Sequence, residues 1–490
     1  MTRFLFRCAL SAIFVCAALH AQLPAPPPVP MPAPEPAENE AFFGAHIQRS
    51  MTLLATSSKE RRWPVRVLVY GQSIVGSSTF TRMMEAFLRE RFPYADITLE
   101  NRAIGGFEAP RLVRTAVHDL YPFYPDLLIF HVYGGEKTGE LERIIANTRR
   151  YTTADIVLFN HHQNRDQTFV PEFGAKFFRY LAEKYGCEIV DVSTEWPEYL
   201  KTNHLEPGQI LRDNVHPNVD GLALLTTLIG RHLRYNPLFA PASWETVRRF
   251  EAKRQLDEGA SDEIVFSGTP WKLEDEGAVG NSSHGVLKLR FDGNRVDAIA
   301  AHVKDLSSTG TARVLIDGKA PSTDPRMYAV TLPSKGPQTW FPAIRRIDFE
   351  KLPLLEDWTL RVTEINADAT KLRFEVSGSK TGPDGAGSNT ERFVSKSGCV
   401  VIDPRDWMLS QIMTIFKQKD APPVGYEIHW SIKPMFVDTY QPQVAADAAK
   451  VYATTLAQGL VNGPHTLEII PNGDGPVPVE AIQVYRPPLR

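Results

Sequence analysis

A serine hydroxyl becomes a strong nucleophile when a base within hydrogen-bond reach takes its proton and a third group holds that base in the right tautomer. Three residues distant in this chain have the types to do so. The apolar run ending in Tyr70-Gly71-Gln72-Ser73-Ile74 places Ser73 just past a strand end, where Gly71 lets the backbone turn tightly. The segment Asp213-Asn214-Val215-His216-Pro217-Asn218, followed by Gly221, sets a carboxylate three residues ahead of an imidazole. Asp213 can then accept from one ring nitrogen of His216 while the other takes the Ser73 proton, which is the chemistry of acyl transfer. Alone, a Gly-x-Ser reads as an ordinary turn and an Asp-x-x-His as a helix cap. Their combination at the first and last strand ends of one domain is far more specific.

The elements that would position them are legible between about Pro64 and Leu233. Short apolar runs, VRVLVY (65–70), ADITLEN (95–101), DLLIFHVY (126–133), ADIVLFN (154–160) and CEIVDV (187–192), are interspersed with helical stretches. These helices are expected from Thr79 to Arg91, from about Thr138, around Pro171 to Tyr185 and around Val219 to Leu233. Strands apolar on both faces and alternating with helices predict a parallel sheet covered on both sides. The fold class is therefore α/β: a doubly wound, flavodoxin-like three-layer α/β/α domain over 41–240, with its ligand site at the carboxyl ends of the strands.

With these blocks in place, residues 64–235 resemble the SGNH/GDSL hydrolase superfamily of serine esterases. Its members carry an early Gly-Asp-Ser-like block, an Asn…Gly block, a Gly-x-Asn block and a late Asp-x-x-His block. The resemblance implies Ser73 as nucleophile, His216 as general base and Asp213 as the residue that orients it. In Asn101-Arg102-Ala103-Ile104-Gly105-Gly106 the spacing from Asn to Gly matches the second block, so the N–H groups of Gly106 and Ser73 would form the oxyanion hole. Two positions depart from the pattern. Gln72 replaces an Asp that is outside the triad, and a Gly-Gln-Ser start also occurs among the family's carbohydrate esterases. Tyr133-Gly134-Gly135-Glu136 falls where Gly-x-Asn would stand, and a carboxylate near a forming oxyanion repels it unless protonated. Loss of one oxyanion donor costs on the order of 10²–10³ in rate. Either a neighbour supplies the donor, or activity is reduced, or the domain is no longer an enzyme. Asn160, His161, His162 and Asn164 follow the fourth strand and can reach the same sheet edge. His161-His162 does not read as a metal site, because adjacent strand residues face opposite ways and no third ligand is obvious. No metal and no cofactor are expected.

The 490 residues suggest about three domains at roughly 150 residues each. From about Glu263 short alternating runs punctuated by Gly, Pro and Asn read as antiparallel β structure. Residues 284–325 loosely echo 397–440, and 358–378 echo 465–488, in the same order. Two tandem β-sandwich or jelly-roll-like modules, 262–385 and 386–490, are expected, with one larger β domain as the alternative. Trp271, Trp340, Trp358, Trp407 and Trp430 could stack on sugar rings, but β-sandwiches commonly bury such residues, and core is the expectation for any one of them. Asp317-Gly318 reads as a hairpin turn and Thr381–Gly387 as a loop.

Residues 1–21, with Arg3 and Arg7 before an apolar run and Ala21 at a cleavage point, resemble a secretory signal peptide, and the Pro-rich 22–40 a tether. Removal of Arg3 and Arg7 takes the net charge from −3 to −5. That balance offers no excess of cations to a nucleic-acid backbone, and no later segment has the length of a membrane span. Only Cys187 and Cys399 would remain, in different domains, which excludes a disulfide scaffold. The expectation is an exported esterase, periplasmic or extracellular, whose partner is an ester substrate, an acylated carbohydrate above all. A lipase-like esterase, or a non-catalytic carbohydrate-binding or adhesion protein with a degenerate hydrolase domain, are the alternatives.

Overall fold

The computed structural model describes residues 32–37, 39–166, 172–239, 246–253, 264–274, 277–303, 306–443 and 447–490. The export segment expected over 1–21 and most of the tether lie outside them. Among the described residues no helix is long and apolar enough to cross a membrane.

Five parallel strands, β1 (Pro64–Gly71), β2 (Asp96–Asn101), β3 (Leu127–His131), β4 (Asp155–Phe159) and β5 (Glu188–Val190), lie in the order β2-β1-β3-β4-β5. This is the expected flavodoxin-like order, with the chain reversing its direction of travel across the sheet between β1 and β3. Every residue of β3 and β4 is buried, as runs such as LLIFH and DIVLF require when helices cover both faces. The helices are α1 (Gln48–Thr56), α2 (Ser78–Arg91), α3 (Ala109–Asp119), α4 (Glu140–Tyr151), α5 (Glu172–Tyr185), α6 (Val192–Thr202), α7 (Pro207–Ile210) and α8 (Val219–His232). α2 packs on α8, while α4 packs on both α3 and α5.

Sequence reading missed α1, α3, α6 and α7. A proline explains three of these: it sits in the first turn of α3 and of α7 and inside α6, and in sequence it reads as a break although the first turn tolerates it. α1 closes the far end of the sheet, where the buried Arg49 pairs with Asp126 at 2.9 Å and the Ser50 N–H donates to Asp155 at 2.7 Å.

The C-terminal half is antiparallel. One sheet runs through Thr439–Tyr440, Ala312–Ile316, Ala453–Pro471, Gly285–Ile299, Ala481–Tyr485 and Val247–Glu251, with Ile264–Gly268 also paired to Gly285–Ile299. A second runs through Tyr328–Val330, Glu427–Pro434, Asp357–Ile365, Leu372–Gly378 and Gly382–Ser388, and two smaller sheets pair Phe393–Val394 with Val401–Ile402 and join Val477–Val479, Gly277–Gly280 and Lys272–Glu274. Both larger sheets take strands from both sides of residue 385, so the boundary expected there does not separate them. The internal likeness reflects the alternation that all such strands share, and strands assigned to different modules pair with one another. The stretch expected as a loop at 381–387 is an edge strand, and its glycines make room for aromatic rings: a Cβ at Gly387 would stand 2.6 Å from Phe393. Asp317-Gly318 does form the hairpin turn, both residues having positive φ. Cys187 and Cys399 are buried and free.

The two halves share one apolar core. Leu112, Ala116 and Leu120 on or beside α3 belong to the same buried cluster as Phe341, Ile344, Trp358 and Trp430 of the β half. Polar contacts lock the seam. Arg114 reaches Asp406 through two nitrogens at 2.8 and 2.5 Å, and His118 Nδ1 lies 2.8 Å from the Val330 carbonyl while its Nε2 accepts from the Ile347 N–H at 3.2 Å. His118 is therefore neutral, and burial pushes its pKa down to about 4.

The linkage has a definite sign. The unfolded state holds a proton on this imidazole below about 6.5 and the folded state does not until about 4, so the stability from burying neutral His118 is complete above pH 6.5 and is lost as pH falls through 4. The shift is worth roughly 3 kcal/mol. Neighbouring Asp119, buried and pushed up to about 7 by desolvation against the pull of Arg102, has the opposite slope. A difference measurement separates them. The gap in unfolding free energy between wild type and His118→Asn should be widest above pH 6.5 and narrow toward pH 4 in denaturant titrations; a gap independent of pH would refute this role of His118.

Candidate active site at the carboxyl ends of the strands

The turn that carries Ser73 begins with a close backbone approach. Gly71 has φ +138°, and a Cβ there would stand 1.8 Å from the His131 carbonyl oxygen, so only glycine ends β1 in this way. The chain then turns on the Gln72 carbonyl, which accepts from the N–H groups of Val75 and Gly76 at 3.1 and 2.9 Å. Ser73 emerges partly buried beside the β1/β3 switch point, where a doubly wound sheet opens its ligand crevice.

His216 and Asp213 arrive from the loop before α8. His216 Nε2 lies 2.9 Å from Ser73 Oγ, and His216 Nδ1 lies 3.0 and 2.9 Å from the two Asp213 oxygens. Asp213 Oδ1 also accepts from the N–H groups of Val215 and His216 at 2.9 and 2.7 Å. Burial alone would raise the Asp213 pKa, but those two N–H groups and the imidazole outweigh it and hold it at about 2. Asp213 is thus a carboxylate at any ordinary pH, and it keeps the Nδ1 proton on the imidazole and Nε2 free to accept. The loop is braced from below by His162, whose Nε2 donates to the Val215 carbonyl at 2.6 Å; its burial pushes the pKa down to about 4, so the brace is neutral.

Asn101 fastens the second-block loop to the turn that carries Ser73. Its Nδ2 donates to the Val75 carbonyl and Thr81 Oγ1, both at 2.7 Å, and its Oδ1 accepts from the Ala103 N–H at 3.0 Å. Gly105 and Gly106 follow, the latter with φ +81°. A Cβ on Gly105 would lie 3.6 Å from Ser73 Cβ, so this loop stands against Ser73. The backbone N–H groups of Ser73 and Gly106 have no acceptor among the described residues. They are available to a developing negative charge.

Gln72 has a role that the sequence did not disclose. With its amide oriented to suit both neighbours, the nitrogen donates to the Phe107 carbonyl at 3.1 Å and the oxygen accepts from the Tyr133 N–H at 2.7 Å. One buried side chain thereby ties the second-block loop to the third. Glu136 folds back onto its own loop, accepting from the Gly134 N–H at 3.1 Å and lying 3.4 Å from His161 Nε2. Burial would raise its pKa, but His161 and backbone donors outweigh this and lower it, so Glu136 is charged. His161 Nδ1 in turn lies 3.1 Å from His131 Nε2. Burial lowers the pKa of both rings. Two neutral imidazoles donating in series, His131 to His161 and His161 to Glu136, satisfy these contacts.

Of the residues expected to compensate for the missing Asn, Asn160 turns away: its Nδ2 donates to Asp191 and Ser193 at 2.7 and 3.0 Å. His161 and His162 serve the loops just described, and Asn164 is buried. One residue in the site was misjudged. Trp271, Trp358, Trp407 and Trp430 are buried as expected, whereas Trp340 is 54% exposed and its Nε1–H donates to the Gly105 carbonyl at 2.8 Å. Its signal was the turn-like Gly336-Pro337-Gln338-Thr339 just before two aromatics, a hairpin too short to bury both.

No family model matches the chain, and no curated protein matches it. Among solved structures it is similar to a two-domain esterase active on acetylated mannans, co-crystallized with mannopentaose, at 13% identity over 91% of this chain and 98% of that chain, with a TM-score of 0.34. It is also similar to a catalytic mutant of an acetylxylan esterase from Geobacillus stearothermophilus, at 20% identity over 36% of this chain and 97% of that one, TM-score 0.32. A third likeness, to an acetyl xylan esterase, has 17% identity over 34% and 98% of the two chains and a TM-score of 0.30.

Proposed function

We propose that this chain is an exported serine esterase that removes acetyl or similarly small acyl groups from a carbohydrate. The observation that carries the reading is the unbroken series Ser73 Oγ, His216 Nε2, His216 Nδ1 and Asp213, with contacts of 2.9 to 3.0 Å, at the carboxyl ends of a parallel sheet. His216 takes the Ser73 proton as Oγ attacks the ester carbonyl, and the N–H groups of Ser73 and Gly106 receive the oxyanion. The imidazolium, held by Asp213, returns its proton to the departing sugar hydroxyl. Water, deprotonated by the same imidazole, then attacks the acyl-Ser73 ester; the bond to Oγ breaks, the imidazolium returns the proton to Ser73 Oγ, and the carboxylic acid is freed.

Ser73→Ala should lower kcat on p-nitrophenyl acetate by about 10⁴-fold or more, and Asp213→Asn by about 10²–10⁴-fold, with little change in thermal stability. Hydrolysis that survives Ser73→Ala would refute the assignment. Across p-nitrophenyl esters from acetate to decanoate, activity should fall with chain length; a rise would favour the lipid alternative. A wild type that binds glycans without turning over any ester would favour the adhesion alternative.

Glu136 allows a separate test. Its carboxylate is engaged by Gly134 and His161, and an amide oxygen can accept the same two hydrogen bonds, so Glu136→Gln should keep kcat within about threefold. A rise of about tenfold or more would show instead that its charge opposes the oxyanion.

A further inference from the structure

We infer that Trp340 is the aromatic floor of a sugar-binding subsite that the β half builds onto the nucleophile loop, so that the acyl group presented to Ser73 is carried by a pyranose ring stacked on the indole. This rests on Ser73 being the nucleophile and adds a substrate class and a binding residue to that reading. Gly105 joins the two: a Cβ on it would lie 3.3 Å from Trp340 Nε1 and 3.6 Å from Ser73 Cβ. The indole and the nucleophile adjoin the same residue.

The ring is both exposed and fixed, which is an unusual pairing for a tryptophan. Its only hydrogen-bonding group is spent on Gly105, so what it offers a ligand is a flat apolar face. Phe416 and Phe341 stand nearly perpendicular to it, at 90° and 86° with centroids 4.8 and 6.1 Å away. Phe341, 2% exposed, is the anchor beneath, edge-on to Phe107 at 4.6 Å. The hairpin is tied at its base and flank: the Gly336 N–H donates to the Phe341 carbonyl at 2.8 Å, Tyr426 Oη to the Lys335 carbonyl at 2.7 Å and Gln418 Nε2 to the Pro337 carbonyl at 2.8 Å. A face held this way loses little rotamer freedom when a ligand covers it. Sugar rings suit it because their axial C–H groups make one face apolar while the hydroxyls at the rim stay in water.

Ethyl acetate, which has no ring to stack, is the reference substrate, since a nitrophenyl leaving group would itself cover the indole. Compared with wild type, Trp340→Ala should lower the ratio of kcat/KM on partially O-acetylated cellohexaose or xylohexaose to kcat/KM on ethyl acetate by about tenfold or more, chiefly through KM. Trp340→Phe should restore most of that ratio, although it too lacks the N–H. Equal losses on both substrates that phenylalanine does not repair would make Trp340 a positioning residue for the Gly105 loop and overturn the subsite; an unchanged ratio would also overturn it. Binding of the same hexasaccharides to Ser73→Ala, followed by calorimetry and by tryptophan emission, is independent of turnover. It should weaken about tenfold or more in Ser73→Ala/Trp340→Ala, and equal affinity in the two proteins would refute the stacking. Ethyl acetate hydrolysis persisting in Ser73→Ala would instead defeat the nucleophile assignment and leave this binding result standing.

Discussion

The arrangement depends first on the apolar seam between α3 and the β half. Because Phe341 is buried against Phe107 in a core that continues into both halves, the loop around Gly105 is clamped from two directions. Asn101 and Gln72 hold it from the α/β side, and Trp340 holds it from the β side. A β half joined only by a linker could not do this. The paired Arg114 and Asp406, and the neutral His118 spanning Val330 and Ile347, are the polar locks that keep the seam in one register.

Electrostatics in the site follow from where each group is buried. Asp213 is exposed and surrounded by donors, so it remains ionised and directs the imidazole. His131, His161 and His162 are buried and neutral, and each works as an oriented hydrogen-bonding plate rather than as a charge. A protonated imidazole at His162 would place a cation near His216. Desolvation is what keeps these three rings neutral.

Much of this could be read from the sequence. The doubly apolar strands betrayed a covered parallel sheet, and the spacings at Ser73, Gly106 and Asp213 to His216 survived folding because each is local to one turn or one loop. What stayed hidden depends on contacts between distant segments. Nothing near Gln72 announces that Phe107 and Tyr133 will present a carbonyl and an N–H to it. The Gly-rich 381–387 forms a strand by pairing with Leu372–Gly378, and Phe374 and Phe393 fill the space that a side chain at Gly387 would take. The interleaving of the two larger β sheets is a matter of long-range register, which alternation along a strand leaves open.

Trp340 shows why the β half and the chemistry belong to one problem. An exposed indole on a free loop would be a poor ligand surface, because ordering it would consume much of what stacking gains. Here the order is supplied by Phe341 and Phe416 beneath it and by the Gly105 carbonyl beside it, all fixed before any ligand arrives. The same hydrogen bond that orients the ring also steadies the backbone leading to the Gly106 N–H. The proposed sugar platform and the proposed oxyanion donor therefore share one mechanical support, the hydrogen bond from Trp340 to Gly105.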